Sequence, residues 1–283
     1  MLTDAAIENV VFAALEEDAP WGDVTSELFV PADAVATAEL NAREPGVFSG
    51  ADVIVATFAA VSADVTVELM IADGDRFGAG DVLAVISGPA RAVLRGERVA
   101  LNLSQRMSGI ATLTAEYVAL VAGTKARVVD TRKTTPGLRA LERHAVRSGG
   151  GHNHRFSLSD AVLAKDNHLA VLTAAGQSVT EVILAARQKL GHTTHLEVEV
   201  DRLDQIEPVL AGGVDTIMLD NFSLDELRAG VALVAGRAIV EASGGVNLTT
   251  VADIAKTGVD VISVGALTHS VRALDLGLDV RIA

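Results

Sequence analysis

The chain has 283 residues, of which 49% are hydrophobic but only 3% are aromatic, so its core must consist mainly of small aliphatic side chains. It has no cysteine, which excludes disulfides, thiol nucleophiles and thiolate metal sites. A formal net charge of −14 opposes binding to nucleic acid or to anionic membranes. No apolar run reaches the ~20 residues needed to cross a bilayer. The acidic N-terminus is unlike a targeting peptide, so we expect a cytoplasmic protein.

The N-terminal third mixes helical and strand patterns, separated by turns rich in glycine and aspartate. Apolar residues spaced by three or four predict helices, and alternation predicts strands. We expect, in chain order, a helix at 4–18, a strand at 35–43, a helix at 51–63 and strands at 65–71 and 82–86. A helical pair should follow at 90–107 and 110–121, with Gly109 as the break between them. This pattern predicts an α+β arrangement.

From residue 125 onward, short apolar strands alternate with helical segments, a pattern typical of a parallel sheet. The six predicted strands are 127–130, 161–164, 196–200, 216–219, 238–240 and 261–264. Each strand leads into polar or glycine-rich residues, and parallel β/α folds bind ligands beyond the C-terminal ends of their strands. Six strands are too few for the usual eight-stranded barrel. We therefore expect a smaller or open barrel, with a doubly wound sheet as the alternative.

Cations are concentrated in one window of this acidic chain. Between residues 125 and 168 there are nine Lys and Arg against four Asp and Glu, which gives a local charge of +5. The pairs Arg132-Lys133 and His154-Arg155 follow or flank strands. Arg offers a planar fork, and Lys a point charge, to a dicarboxylate or a pyrophosphate. We favour an anion pocket, with a solvated basic surface as the alternative.

Carboxylates alternate with valines in the third strand of this sheet. A period of two places Glu197, Glu199 and Asp201 on one face, which in a barrel is the interior, and Asp220 ends the next strand. Buried carboxylates need a partner. Mg²⁺, sugar hydroxyls or a nearby Lys would serve, and a purely structural salt-bridge network is the alternative.

Small residues follow the last two strands. Ser243-Gly244-Gly245 and Gly265-Ala266 expose backbone N–H groups, and barrels often bind phosphate at their final two strands. Together with the basic and acidic groups, these residues predict a ligand with a phosphate, a second anionic group, and hydroxyls or Mg²⁺ between them.

Short polar and glycine-rich motifs are spread along the whole chain. They are Gly22–Thr25, Glu97-Arg98, Asp130–Arg139, Gly149–Arg155, Lys165–His168, Glu197–Val200, Leu219–Phe222, Glu241–Gly245 and Val264–His269. Any one of them could arise by chance, but the ordered set is specific. It resembles the quinolinate phosphoribosyltransferase family. One small departure is Ala242, at a position where serine is more often expected.

The resemblance implies a fold and a reaction. The fold is α/β, with an N-terminal α/β sandwich domain at 1–108, onto which residues 270–283 would pack back, and an open six-stranded β/α barrel at 109–269. The reaction is that of a pentosyltransferase in de novo NAD biosynthesis. Phosphoribosyl pyrophosphate and quinolinate react with Mg²⁺ as cofactor, giving nicotinate mononucleotide, pyrophosphate and CO₂. The implied partners are these small molecules, not nucleic acid or membrane.

The resemblance also implies residue roles. Lys133, Lys165, Glu199 and Asp220 would be catalytic, with Glu199 and Asp220 meeting ribose hydroxyls or Mg²⁺, directly or through substrate. The remaining substrate-binding residues would be Arg98, Thr131, Arg132, His154, Arg155, Ser243, Gly244, Gly245, Val264, Gly265, Ala266 and His269.

Within that set, different residues would meet different parts of the substrates. Arg132, His154 and Arg155, with Lys165, would surround the quinolinate carboxylates. The small residues after the last two strands would cradle the 5′-phosphate. Arg98 would reach the pocket of a neighbouring subunit, which makes the active unit a homodimer and leaves open whether dimers form hexamers.

Two alternatives remain at this stage. Relatives associated with molybdate transport share the fold and many motifs, but the combined set of Arg98, Arg132, His154 and Arg155 favours a dicarboxylate ligand. A non-catalytic sensor of a phosphorylated metabolite would bind without turnover, but it has no need for both the acidic and the basic set.

Overall fold

The computed structural model of the chain describes residues 2–165, 167–168 and 176–282, so the motif residue Asp166 lies outside the described residues. The chain folds as two compact units. The first comprises Met1–Ala115, Thr134–Gly150 and Leu267–Ala283, and the second comprises Glu116–Lys133 and Gly151–Ala266. The domain limits inferred from the sequence, 1–108 and 109–269, stay a prediction.

The N-terminal elements follow the predicted order, with additional short ones. They are α1 (Asp4–Asp18), α2 (Val24–Phe29), β1 (Val35–Ala42), β2 (Gly46–Val47), α3 (Ala51–Val61), β3 (Thr66–Leu69), β4 (Arg76–Phe77), β5 (Val82–Pro89) and α4 (Ala90–Leu120). Helix α1 is capped by Thr3, whose side chain accepts a hydrogen bond from the Ala6 amide. Its buried stripe is Ile7, Val11 and Leu15, which confirms the predicted amphipathic helix.

The remaining elements alternate between strand and helix. They are β6 (Arg127–Val129), α5 (Arg139–Ser148), β7 (Val162–Ala164), α6 (Val179–Lys189), β8 (Leu196–Val200), a 3-10 turn (Leu203–Gln205), α7 (Ile206–Ala211), β9 (Thr216–Asp220), α8 (Leu224–Val234), β10 (Ile239–Ser243), α9 (Val251–Ala255), β11 (Val261–Ser263), α10 (Ala266–His269) and β12 (Leu276–Ile282). Helices α6 and α8 begin at capping boxes, in which Ser178 and Ser223 exchange hydrogen bonds with Glu181 and Glu226. The six predicted β/α strands are confirmed.

An antiparallel sheet with strand order β12-β1-β5-β3 forms the core of the first unit. In β1, Ala38 lies opposite Val280 of β12 on one side and Ile86 of β5 on the other. Ala38 is fully buried and belongs to the same hydrophobic cluster as Ile54 and Phe58 of α3. The central strand therefore joins the C-terminal segment of the chain to the N-terminal part.

Helix α4 runs unbroken from Ala90 to Leu120, so the predicted break at Gly109 is wrong. A Cβ atom at Gly109 would lie 2.2 Å from the carbonyl oxygen of Arg272. The glycine is needed because two backbone segments approach closely there. Continuous helix on both sides outweighs the weak helix propensity of one glycine.

The second unit contains a six-stranded parallel sheet with strand order β6-β11-β10-β9-β8-β7. Each strand from β8 to β11 lies beside its predecessor, and β6 closes the order by pairing with β11. This is the cyclic order of a barrel that is open between β6 and β7, the two ends of the strand order. At this edge, Val129 of β6 forms an isolated bridge with His152, which precedes β7. The open barrel is confirmed. The doubly wound alternative is wrong, because such a sheet reverses its strand order at a central point.

The N-terminal ends of these strands are held by aspartates that precede β9 and β11. Asp215 accepts a hydrogen bond from the Leu196 amide at 2.7 Å, and Asp260 accepts one from the Val240 amide at 2.9 Å. Each carboxylate thereby joins its own strand to a neighbouring strand, so this end has a structural role. Among the described residues, no helix combines the length and the apolar character needed to span a membrane.

Candidate active site

A cavity of about 610 Å³ lies at the C-terminal ends of the barrel strands. The predicted site residues that line it are Thr131, Arg132, Lys133, His154, Arg155, Lys165, Glu199, Asp220, Ser243, Gly244 and Gly245. Leu163, Met218 and Ser263 also line it, although the sequence did not single them out, as does Asn221, which belongs to a quoted motif but had no predicted role. Basic and acidic groups that are far apart in sequence therefore share one cavity in the second unit.

The other predicted site residues do not line this cavity. Val264 is buried, and its amide donates to the Val129 carbonyl at 2.9 Å, so that N–H group is used within the sheet. Gly265 lies between Val264 and the first residue of α10, Ala266. Arg98 lies on α4 and His269 on α10, both within the first unit, and the Arg98 side chain is 59% exposed.

Asp201 was predicted to share the interior face with the two glutamates of β8, and that prediction is wrong. Strand β8 ends at Val200, so the alternation stops one residue earlier. The Asp201 side chain is 60% exposed and lies 3.3 Å from the guanidinium of Arg202. It forms a solvent-exposed ion pair outside the cavity.

Two short loops present the basic residues. After β6, Thr131 Oγ1 accepts a hydrogen bond from the Lys133 amide at 3.1 Å, which closes a tight turn around Arg132. The Arg155 guanidinium donates to the Ala161 carbonyl at 2.8 Å. Burial, together with the neighbouring charge of Arg132, lowers the pKa of Arg155. Two guanidinium groups held close together against their mutual repulsion form a suitable site for an anion.

Asp130 fixes the second of these loops, although no separate role was predicted for it. Its carboxylate is fully buried and accepts hydrogen bonds from the His154 amide at 2.8 Å and from Asn153 Nδ2 at 2.6 Å. The His154 Nδ1 atom in turn accepts from the Arg155 amide at 2.8 Å. The remaining ring nitrogen, Nε2, therefore points away from this loop.

His154 Nε2 contacts two carboxylates inside the barrel. It lies 3.1 Å from Glu197 Oε2 and 3.5 Å from Glu241 Oε1, and both glutamates are 3% exposed. Burial alone would lower the pKa of His154, but hydrogen bonds with Glu197 and Glu241 raise it to about 10. These hydrogen bonds favour the imidazolium, whereas the Arg155 amide, which donates to Nδ1, favours a neutral ring with its proton on Nε2.

Glu197 differs from an ordinary carboxylate. Burial, together with the adjacent Glu241, raises the pKa of Glu197 to about 7. Its Oε1 atom has no hydrogen-bond donor among the described residues, and a proton shared between the two carboxylates would satisfy it. The ligand atoms of His154, Glu197 and Glu241 lie within 4.8 Å of one another, a spacing that a metal ion accepts. Nε2 carries the proton that faces these carboxylates and cannot ligate a metal while it keeps that proton, so a hydrogen-bonded cluster fits these groups better.

Lys165 and Glu199 form an ion pair across the cavity wall. Lys165 follows β7 and Glu199 lies in the neighbouring strand β8, with Nζ 2.5 Å from Oε2. The Lys165 side chain is 47% exposed and that of Glu199 is 13% exposed. The pair is therefore accessible to a ligand, and both charges can exchange partners when a substrate enters.

The acidic and small residues of the next two strands also meet. Asp220 ends β9, and Asn221 Nδ2 donates to its Oδ2 atom at 2.7 Å. The turn after β10 has positive φ values of 88° at Gly244 and 63° at Gly245, which glycine adopts without strain. This turn lines the same cavity as Asp220, as the predicted phosphate cradle requires.

An open parallel β/α barrel with cations, carboxylates and a glycine turn around one cavity defines a class of enzyme that acts on anionic, phosphorylated small molecules. The model of the quinolinate phosphoribosyl transferase C-terminal domain matches residues 110–279, and that of the N-terminal domain matches residues 23–108. The chain belongs to the quinolinate phosphoribosyltransferase family, as its motifs predicted.

Individual relatives agree with this assignment. The probable nicotinate-nucleotide pyrophosphorylase (carboxylating) of Bacillus subtilis is 44% identical over 267 residues, covering 94% of this chain and 91% of the relative. The nicotinate-nucleotide pyrophosphorylase (carboxylating) of Mycobacterium leprae is 43% identical and covers 99% of this chain and 100% of the relative. The crystal structure of NadC from Streptococcus pyogenes is similar with a TM-score of 0.95 at 40% identity, covering 100% of this chain and 99% of that one.

Proposed function

We propose that the chain transfers the phosphoribosyl group of phosphoribosyl pyrophosphate to quinolinate, with loss of CO₂, to give nicotinate mononucleotide and pyrophosphate. This is a step of NAD biosynthesis, for which we expect a cytoplasmic location. The observation that supports it best is the single cavity lined by two arginines, two lysines, a histidine, two carboxylates and a glycine turn. Each group matches one part of the two substrates.

The quinolinate carboxylates are assigned to the basic loops. Arg132 and Arg155 offer planar forks that bind carboxylates in bidentate geometry. Hydrogen bonds with Glu197 and Glu241 raise the pKa of His154, and we assign its imidazolium form as a third positive charge when the substrate carboxylates are bound. Three cations suit a dicarboxylate better than a monocarboxylate, so we assign this end of the cavity to quinolinate.

Lys133 and Lys165 are assigned to the pyrophosphate, with Lys165 also near a quinolinate carboxylate. Glu199 and Asp220 are assigned to the ribose hydroxyls and to Mg²⁺. Carboxylate oxygens are the ligands Mg²⁺ prefers, and it is usually held by one or two carboxylates plus substrate phosphates. The accessible oxygens of these two side chains fit such a site, directly or through the substrate. When bound, the ion would stabilise the charge of the leaving pyrophosphate.

The 5′-phosphate is assigned to Ser243, Gly244 and Gly245, together with Gly265 and Ala266. Thr131, Val264 and His269 complete the proposed substrate contacts. Val264 would act through its position in the sheet, since its amide is already bonded to Val129. Glycines in the left-handed region orient successive N–H groups towards one point, which is the arrangement that binds phosphate oxygens.

These groups account for the reaction. As pyrophosphate leaves, the ribose carbon gains oxocarbenium character, and the nearby carboxylates of Glu199 and Asp220 stabilise that positive charge. Arginine pairs hold the ring nitrogen of quinolinate in line for attack, which is mainly a positioning effect. After the nitrogen has been alkylated, its positive charge stabilises the electron pair that departing CO₂ leaves on the neighbouring ring carbon, and a proton from solvent then completes nicotinate mononucleotide. This step needs no general base, and we assign none.

The activity assay is incubation with quinolinate, phosphoribosyl pyrophosphate and Mg²⁺, measuring release of CO₂ and pyrophosphate, with nicotinate as the control acceptor. Arg132→Ala should raise the KM for quinolinate by about 100-fold, because a bidentate charge-assisted pair is lost, while the melting temperature stays within a few degrees. Arg228→Ala, which breaks an exposed ion pair on α8, is the matched control. Wild-type protein without turnover would refute the proposal, and wild-type affinity in Arg132→Ala would refute the role of Arg132.

We further propose that the active unit is a homodimer in which Arg98 enters the quinolinate pocket of the neighbouring subunit. The 59% exposure of Arg98 leaves its guanidinium available to a partner. At quinolinate concentrations near the wild-type KM, Arg98→Ala and Arg132→Ala should each show only a few per cent of wild-type activity alone, because each raises that KM strongly. Mixing them should restore about a quarter of wild-type activity, because half of the random dimers contain one intact site. No recovery after subunit exchange would exclude a shared site.

A further inference from the structure

Asn221 has a backbone conformation that few residues adopt. Its φ angle of 58° lies in the left-handed region, and among the described residues the only other non-glycine residue there is Ala235, with φ 50°. Glycine is the ordinary choice in this region, although asparagine tolerates it better than most. Ala235 lies at the C-terminal cap of α8, where such a conformation commonly ends a helix. Asn221 ends no helix and instead lines the cavity.

The contacts of Asn221 join two parts of the site. Its Nδ2 atom donates to Asp220 Oδ2 at 2.7 Å, and its backbone amide donates to the Ser243 carbonyl at 2.9 Å. A Cβ atom built on Gly244 would lie 2.1 Å from Asn221 Oδ1. The side chain is therefore packed against the glycine turn on one side and bonded to the carboxylate on the other.

We propose that Asn221 is a positioning residue that fixes the Asp220 carboxylate at a set distance from the Ser243–Gly245 turn. A hydrogen bond to one carboxylate oxygen restricts the rotation of the Asp220 side chain and leaves the second oxygen for a ligand. The backbone bond to Ser243 keeps the ends of β9 and β10 in register at this point. The ligand that spans both parts is a sugar phosphate, with its hydroxyls at Asp220 and its phosphate at the turn, and this identification rests on the proposed function.

The experiment separates the side chain from the backbone. Asn221→Gly keeps the left-handed conformation and removes only the amide, and Ala235→Gly makes the same kind of change outside the cavity. Both variants should fold, with melting temperatures within a few degrees of wild type. For Asn221→Gly we expect kcat to fall by about 10- to 100-fold, since a small displacement of a positioned group has effects of this size. The KM for phosphoribosyl pyrophosphate should rise, and the KM for quinolinate should stay within about threefold. Ala235→Gly should leave all three constants unchanged.

A binding measurement keeps this proposal separate from the proposed reaction. In calorimetric titrations, Asn221→Gly should bind ribose 5-phosphate several-fold more weakly than wild type and Ala235→Gly. If the wild type shows no turnover but this difference remains, the positioning role stands and the reaction assignment is refuted. Unchanged kinetics and binding in Asn221→Gly would overturn the inference. So would a large fall in its melting temperature, or an equal loss of quinolinate affinity, because either indicates a general structural role.

Discussion

The charge on His154 depends on Glu241, and replacing that glutamate by glutamine gives a quantitative test. Glu241→Gln removes a negative charge 3.5 Å from Nε2 and keeps the shape of the side chain. Two unit charges at that separation attract by roughly 5 kcal/mol at an effective dielectric constant of about 20. At about 1.4 kcal/mol for each pKa unit, this energy sets an upper limit on the fall in the pKa of His154. The actual fall is smaller because water and side chains rearrange around the new group. We expect the pKa of His154 in the variant to fall clearly below its wild-type value of about 10.

The assay is a titration of the histidine ring nitrogens by ¹⁵N NMR, from pH 5 to the highest pH at which the protein stays folded. His154→Gln identifies the resonance, because the chain has six other histidines. Glu199→Gln is the matched control, because it removes a barrel carboxylate that pairs with Lys165 rather than with His154. The pKa of His154 should stay near its wild-type value in that control.

Two results would refute this reasoning. Titration of His154 near 6.5 in the wild-type protein would mean that the carboxylates do not hold the imidazolium. An unchanged pKa in Glu241→Gln would mean that Glu197 alone determines the charge. If the pKa falls as expected, the KM for quinolinate should rise at a lower pH in the variant than in the wild type, because part of the histidine is then neutral and no longer attracts a carboxylate.

Two further predictions concern stability. The folded-state pKa values of Glu197 and His154 are both raised, so the stabilisation that these groups provide is complete at low pH. The contribution of Glu197 is lost as pH rises through about 7, and that of His154 is lost as pH approaches about 10. Thermal unfolding should therefore show a melting temperature that falls above neutral pH, with a weaker fall in His154→Gln; a flat profile would contradict the assignment. Gly109→Ala should destabilise the first unit by about 2–4 kcal/mol, because its Cβ would lie 2.2 Å from the Arg272 carbonyl. Gly78→Ala, with its nearest atom at 3.6 Å, should show little effect in the same denaturant titrations.

The barrel was predictable because its signals are local. Each strand is a short apolar run that ends in polar or glycine-rich residues, and such runs can be recognised without knowing their neighbours. The prediction failed where long-range contacts decide the structure. Gly109 interrupts the helical pattern in sequence, but its close contact with Arg272 explains the glycine without a break. Strand β12 pairs with β1 across most of the chain length, and no local feature indicates that partner.

The basic half of the site was likewise predictable from position, since Arg132 and Arg155 stand in loops next to strand ends. The residues that support them were not. Asp130 accepts hydrogen bonds from the His154 amide and the Asn153 side chain in the next loop, and Asn221 donates one to Asp220. Their functions depend on contacts between segments, which one sequence does not reveal. Glu241 could have been suspected, because a charged residue between Val240 and Ala242 in a buried strand requires a partner.

Depth along β8 explains why two glutamates on the same face have different roles. Residues two apart in a strand are about 6.5 Å apart along its axis. Glu199, nearer the strand end, meets Lys165 in the accessible cavity. Glu197, one step deeper, is almost fully buried and contacts His154. Alternation in the sequence identifies the face but not the depth. The buried Glu197 therefore holds His154 in a fixed position, whereas Glu199, with its exposed partner Lys165, remains accessible to a ligand.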